Sequence, residues 1–113
     1  MILYMTVYMK MMRFNKYLTI IYNNMYKITE YSKNKAKQLN VTIKPSTNKK
    51  KKIDVFKNNV KIASIGAIGY KDYPSYLKEN TKEYADQRRR LYKIRHSNDL
   101  NSKNGYYANK LLW

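Results

Sequence analysis

The sequence predicts an α+β fold. A small β-hairpin, or a three-stranded sheet if one preceding segment joins it, packs against two or three short helices. A basic N-terminal segment, helical or partly disordered, leads into it. Three observations carry this expectation. Apolar and polar residues alternate on either side of Asn58-Asn59, and period-two alternation around residues that tolerate positive φ signals a hairpin. Asp72 and Thr81 each stand where a helix can begin. The closing stretch GYYANKLLW sets aromatic and aliphatic residues at helical spacing.

Taken in order, residues 1–43 form an N-terminal segment and residues 44–113 the folded domain. Residues 1–26 are dense in Met and aromatic residues. Leu18, Ile21, Tyr22 and Met25 fall at helical spacing, and Met11 and Phe14 continue the stripe. Such a stripe is a core or docking face more often than a membrane anchor. The uncharged run Met1 to Met9 falls far short of a spanning helix, and no charge precedes it as in a signal peptide. Met12 and Met25 offer alternative starts. Tyr31 to Leu39 reads as a short polar helix, and Val41 to Lys44 as an edge strand that Pro45 ends. Lys49 to Lys52 follow a Ser-Thr-Asn turn cluster. They read as a solvated loop, a phosphate clamp or a localisation signal.

In the hairpin, Ile53, Val55, Val60 and Ile62 are expected on one face, with Phe56 and Ile65 on the other. Gly66 and Gly69 mark a bend; neither GxGxxG nor Gly-Lys-Ser/Thr is present. Asp72 is expected to cap a helix with Pro74 in its first turn. Thr81 is expected to cap a second helix over 82–96. There Tyr84, Leu91 and Ile94, with Ala85 and Tyr92 alongside, make the expected inward face. Arg89, Lys93 and His96 share another face at i, i+4 and i+7. Arg88 and Arg95 form a neighbouring stripe, and Arg90 projects apart. Glu83 and Asp86 precede the cations, which suits the helix dipole. Residues 97–104 read as a loop. A short helix from Gly105 then ends on Trp113, the expected core anchor.

The net charge is +17, from 24 Lys and Arg against 7 Asp and Glu. A polyanion is the expected counterpart, nucleic acid first and an anionic membrane second. AT-rich coding accounts for some of the Lys, Asn, Ile and Tyr, but not for so few acids. There is no Cys and a single His, so thiol chemistry, disulfides and multi-His metal sites are excluded. Asp54, Asp72, Glu79, Glu83, Asp86 and Asp99 are scattered. A small nuclease or nuclease-like remnant is one reading and would need Asp54 and Asp72 to converge; on the other readings no enzyme, metal or cofactor is expected. Binding is better supported. Arg88, Arg89, Arg90, Lys93 and Arg95 crowd one helix, and Arg matches phosphate oxygens bidentately. Tyr92, with Tyr73, Tyr76 and Tyr84, can hydrogen-bond phosphate or stack on bases. The candidate contacts are thus Arg88, Arg89, Arg90, Lys93, Arg95 and Tyr92, with Lys49, Lys50, Lys51 and Lys52 as a second group.

One order of residues is familiar. It runs from Lys44-Pro45-Ser46-Thr47 through a Lys cluster and hairpin to Ile65-Gly66-Ala67 and Gly69-Tyr70-Lys71-Asp72-Tyr73. Arg88-Arg89, Tyr92, Arg95-His96 and Leu111-Leu112-Trp113 follow. This resembles a small basic domain found in large DNA viruses of algae and amoebae. The resemblance covers 44–113. It departs at Pro74 to Thr81, where the family carries a His-Lys-Asp-like segment, so any role of that His does not carry over. It brings no activity. It implies a viral origin and a place in the virion or in the viral factory of the infected-cell cytoplasm. The first functional reading is a non-enzymatic, largely sequence-nonspecific nucleic-acid-binding protein, for DNA or RNA, serving genome packaging. The second is a structural or adaptor protein that docks to a viral capsid or host protein complex through Tyr and Trp surfaces. A membrane is not the expected partner.

Overall fold

Two asparagines turn the hairpin. Asn58 and Asn59 hold φ of 53° and 65°, the paired positive φ of a type I′ turn, whose twist matches that of the flanking strands. The computed structural model describes residues 26–113, so the expectations for the N-terminal stripe, Met11 to Met25, lie outside the described residues. The fold is α+β. The described elements are α1 (Glu30–Leu39), β1 (Thr42–Pro45), β2 (Lys51–Lys57), β3 (Val60–Ala67), α2 (Tyr73–Glu79), α3 (Lys82–Arg95), a 3-10 turn (Ser97–Asn101) and α4 (Lys103–Leu112). The strands form an antiparallel sheet in the order β1-β2-β3. The segment before the hairpin therefore does supply a third strand, and Pro45 is its last residue.

The register differs from strict alternation. Phe56 faces Lys61, but Val55 faces Ala63, so Ile62 is an extra residue in β3. Such a bulge moves every later side chain to the opposite face. Ala63 and Ile65 thus join Ile53 and Val55 in the core, while Val60 is 60% exposed. The expected pairing of Val60 and Ile62 with Ile53 and Val55 fails for this reason. Beyond the bulge, Gly66 holds φ of 80°, and a Cβ there would meet Leu112 at 2.8 Å. Only glycine suits both constraints.

The core joins Ile53, Val55, Ala63 and Ile65 to Ala108, Leu111 and Leu112 of α4 and Ala36 of α1. The expected boundary at residue 44 therefore does not separate a tail from a domain. Thr29 caps α1 through a 3.2 Å bond from the Ser32 amide. Asn40, at φ 58°, ends the helix in the left-handed conformation. The Ser32 hydroxyl donates 2.7 Å to the Leu111 carbonyl, and the Tyr31 hydroxyl donates 3.0 Å to that of Trp113. Carbonyls at a helix end lack intrahelical partners, so these two bonds seal the end of α4 with donors from α1.

Two carboxylates tie down the remaining chain. Asp72 caps α2 by accepting from the Ser75 amide at 3.2 Å and hydroxyl at 2.7 Å. It also accepts from Lys52 Nζ at 3.0 Å and the Tyr26 hydroxyl at 2.9 Å. Lys52 donates as well to the Tyr70 carbonyl. Asp54 accepts from the hydroxyls of Ser46 (2.6 Å) and Ser64 (2.7 Å) and the Thr47 amide (3.3 Å), with Lys61 at 3.5 Å. Both acids are buried. Burial raises a carboxyl pKa, but these donors and lysines outweigh it and hold both below the ordinary range. The segment after the Gly66–Gly69 bend is thus tied to β2 through the contacts of Lys52 with Tyr70 and Asp72.

Candidate nucleic-acid interface

Helix α3 begins where Thr81 accepts from the Tyr84 amide at 3.1 Å. Glu83 lies in its first turn and Lys93 and Arg95 in its last, so the charge order matches the helix dipole. Its inner face is only partly the expected one: Ala85 and Tyr92 do turn inward. Ala85 is fully buried, but Tyr84, Leu91 and Ile94 are 42%, 37% and 62% exposed. Ala85 lets the helix approach closely, and aromatic rings with arginines fill the seam around it. The Arg89 guanidinium lies 4.0 Å from the centroid of Tyr73, and that of Arg88 lies 5.5 Å from Tyr76. Both are cation–π contacts, and Arg88 and Arg89 are half-buried as a result.

Asp86 fixes the near end of this face. It accepts 2.6 Å from the Tyr73 hydroxyl, 2.8 Å from Lys82 and 3.4 Å from Arg89. The donors Lys82 and Tyr73 hold its carboxyl below the usual range. Beyond it an open groove of about 650 Å³ is lined by Asp86, Arg89, Arg90, Lys93, Ile94 and Ser97. Lys93 donates 2.9 Å to the Asn109 side chain of α4. Partial desolvation, then the charges of Lys110, Arg89 and Lys35, lower the pKa of its ammonium. Three helices thus direct positive charge at one place: α1 through Lys35, α3 through Arg89 and Lys93, α4 through Lys110. Like charges that act on one ammonium in this way favour a bound anion.

The predicted site residues divide accordingly. Arg89, Arg90 and Lys93 come together in the groove. Arg95 is exposed but outside it. Arg88 lies over Tyr76, and its buried Nε has no hydrogen-bond partner among the described residues. The lysine run is split by the start of β2. Lys49 and Lys50 are exposed in the β1–β2 turn, Lys51 is half-buried, and Lys52 is buried. Lys52 is a structural cation paired with Asp72 and is not available to phosphate. Tyr92 is likewise withdrawn from base stacking. Trp113 covers one of its faces at 4.2 Å and His96 the other at 4.3 Å. Trp113 is half-buried against the core, as an anchor. Lys35 and Lys110 escaped the sequence reading because only helix packing brings them to Lys93.

No family model matches this chain, and neither the curated proteins nor the solved structures contain a match to it. Its chemistry must be read from its own residues. Asp54 and Asp72 are each enclosed by their own donors and each paired with a lysine. No group of three metal-ligating side chains occurs among the described residues. No helix among them is long and apolar enough to cross a membrane.

Proposed function

We propose that the chain is a non-enzymatic nucleic-acid-binding protein that grips the phosphodiester backbone along α3. The observation that carries this reading is the groove in which Arg89, Arg90 and Lys93 meet, with Lys93 anchored on α4 through Asn109; partial desolvation, then the charges of Lys110, Arg89 and Lys35, lower the Lys93 pKa. Apart from Asp86, no acid lines that groove. Arg89 and Arg90 supply forked donors, and the lysines supply point charges. Contacts of this kind bind the backbone without reading sequence. The resemblance to a domain of large DNA viruses would make the ligand a viral genome or transcript, met in the virion or the viral factory.

Binding driven by phosphate contact releases counterions. With Arg89, Arg90, Lys93, Lys35 and Lys110 all engaged, the slope of log K against log salt on duplex should be roughly −4.5. Replacing both Lys93 and Lys110 by Ala should reduce its magnitude by about 2. Anisotropy titrations across a salt series read both values. A flat salt dependence, or an unchanged slope in the double variant, removes the proposal.

A second reading, as an adaptor, draws on another surface. A groove of about 410 Å³ is lined by Ile62, Leu100, Tyr106 and Tyr107 and flanked by Lys57 and Lys103. Affinity purification with and without nuclease separates the readings: partners that survive nuclease favour the adaptor.

A further inference from the structure

Three rings stack in a column along the C-terminal half of α3. Trp113 and Tyr92 are nearly parallel, at 9°, and Tyr92 and His96 meet at 28°. Tyr92 is enclosed, but His96 ends the column. Among the described residues no further ring covers it, and its side chain is 37% exposed. Its orientation is nonetheless fixed: Nδ1 lies 2.6 Å from the Asp99 carboxylate, and the ring rests on Tyr92. Asp99 is held in turn by the 3-10 turn, where its amide donates to the His96 carbonyl and its own carbonyl accepts from the Ser102 amide. A flat ring with one face stacked, one edge clamped and more than a third of its side chain exposed can serve as a platform for an unpaired base.

Its place in the helix matters as much. His96 follows Arg89 and Lys93 at i+7 and i+3, so the three share a face. At 1.5 Å per residue the arginine lies about 10 Å back along the axis. Ser97, the next residue, lines the cationic groove. A backbone lying in that groove would therefore end beside a partly exposed aromatic ring.

We propose that His96 is a base-stacking subsite, so that the interface takes single-stranded nucleic acid in preference to duplex. The proposal rests on the nucleic-acid reading of the groove and deepens it. Paired bases present only their edges, because their faces are covered by neighbouring base pairs. An unpaired base can place a face on His96. The fixed ring adds stacking without the entropy of ordering a loose side chain.

The test uses the full chain and three labelled probes at one salt concentration: a single strand, an abasic strand of equal length and a duplex. The intact strand should bind about tenfold tighter than the abasic one, and tighter than the duplex. His96→Ala should abolish most of that difference while leaving abasic affinity unchanged, and His96→Phe should restore it. Equal losses on intact and abasic strands would mean that His96 only supports the helix end. Equal affinity of the unaltered chain for both strands would also overturn the subsite. Either result leaves the groove reading intact. If no probe binds in a salt-dependent way, the groove reading fails, and the subsite with it.

Discussion

Lys52 offers the sharpest separation of structure from binding, because its sequence context and its position point in opposite directions. It closes a run of four lysines, yet its side chain is 7% exposed and its ammonium lies 3.0 Å from an Asp72 carboxylate that is 1% exposed. Replacing it by Met keeps the aliphatic stem beside Gly66 but leaves Asp72 buried and unpaired. Breaking a buried pair from one side costs about 3–5 kcal/mol. Asp72 retains three donors, from Tyr26 and Ser75, so the lower end, about 3 kcal/mol, is expected. Most of the stability of a small domain is about 5–15 kcal/mol, so this loss is readily seen in urea unfolding. Adding Asp72→Asn removes the orphaned charge while an oxygen still caps α2. The double variant should recover about 2 kcal/mol relative to the sum of the single losses. Under conditions where the Lys52 variant is folded, its salt slope on nucleic acid should match the unaltered chain. The reasoning is refuted if Lys52→Met costs under about 1 kcal/mol. Strictly additive losses, or a salt slope that falls as is expected when Lys93 and Lys110 are both replaced, would refute it equally.

Two further outcomes follow from the packing and the acids. A Cβ on Gly105 would lie 2.0 Å from the Asp99 carbonyl oxygen, so Gly105→Ala must part α4 from the 3-10 turn; a fall in Tm of several degrees is expected, and no change would contradict the close approach. Asp54 and Asp72 both have folded pKa values below the unfolded value. Their contribution is therefore complete above the unfolded carboxylate pKa and is lost as pH falls through the folded values. The urea midpoint should drop below about pH 4, and Asp54→Asn should flatten that drop.

What could be read from the sequence was local chemistry. Asn58-Asn59 at the hairpin, Asp72 with Pro74, and Thr81 each act within a few residues, and each holds the backbone where expected. The strand ending at Pro45 and the polar helix before it were legible for the same reason. The bulge was not. Ile62 has the pattern of a core residue, and only the fit of Ala63 against Val55 and Ile65 against Ile53 reveals the slip. Charge convergence was half legible. Arg89, Arg90 and Lys93 share a helix, whereas Lys35 and Lys110 reach Lys93 only through the docking of α1 and α4.

The larger departure concerns α3, where the rule that apolar residues face inward holds for Ala85 and Tyr92 but fails for Tyr84, Leu91 and Ile94. The partner surface is made of tyrosines and Trp113 rather than aliphatic side chains, and a ring face accepts a guanidinium as readily as a methyl group. Arg88 and Arg89 can therefore lie inward over Tyr76 and Tyr73, leaving Leu91 and Ile94 outside. The same aromatic seam decides which rings remain available. Stacking Tyr92 between Trp113 and His96 withdraws the residue that the sequence favoured for base contact. It also carries the column one residue type further, to an imidazole clamped by Asp99 and followed in sequence by Ser97 of the cationic groove. The arginine-rich helix is thus a scaffold on its aromatic side and a cationic surface on its groove side, and His96 follows where the two meet.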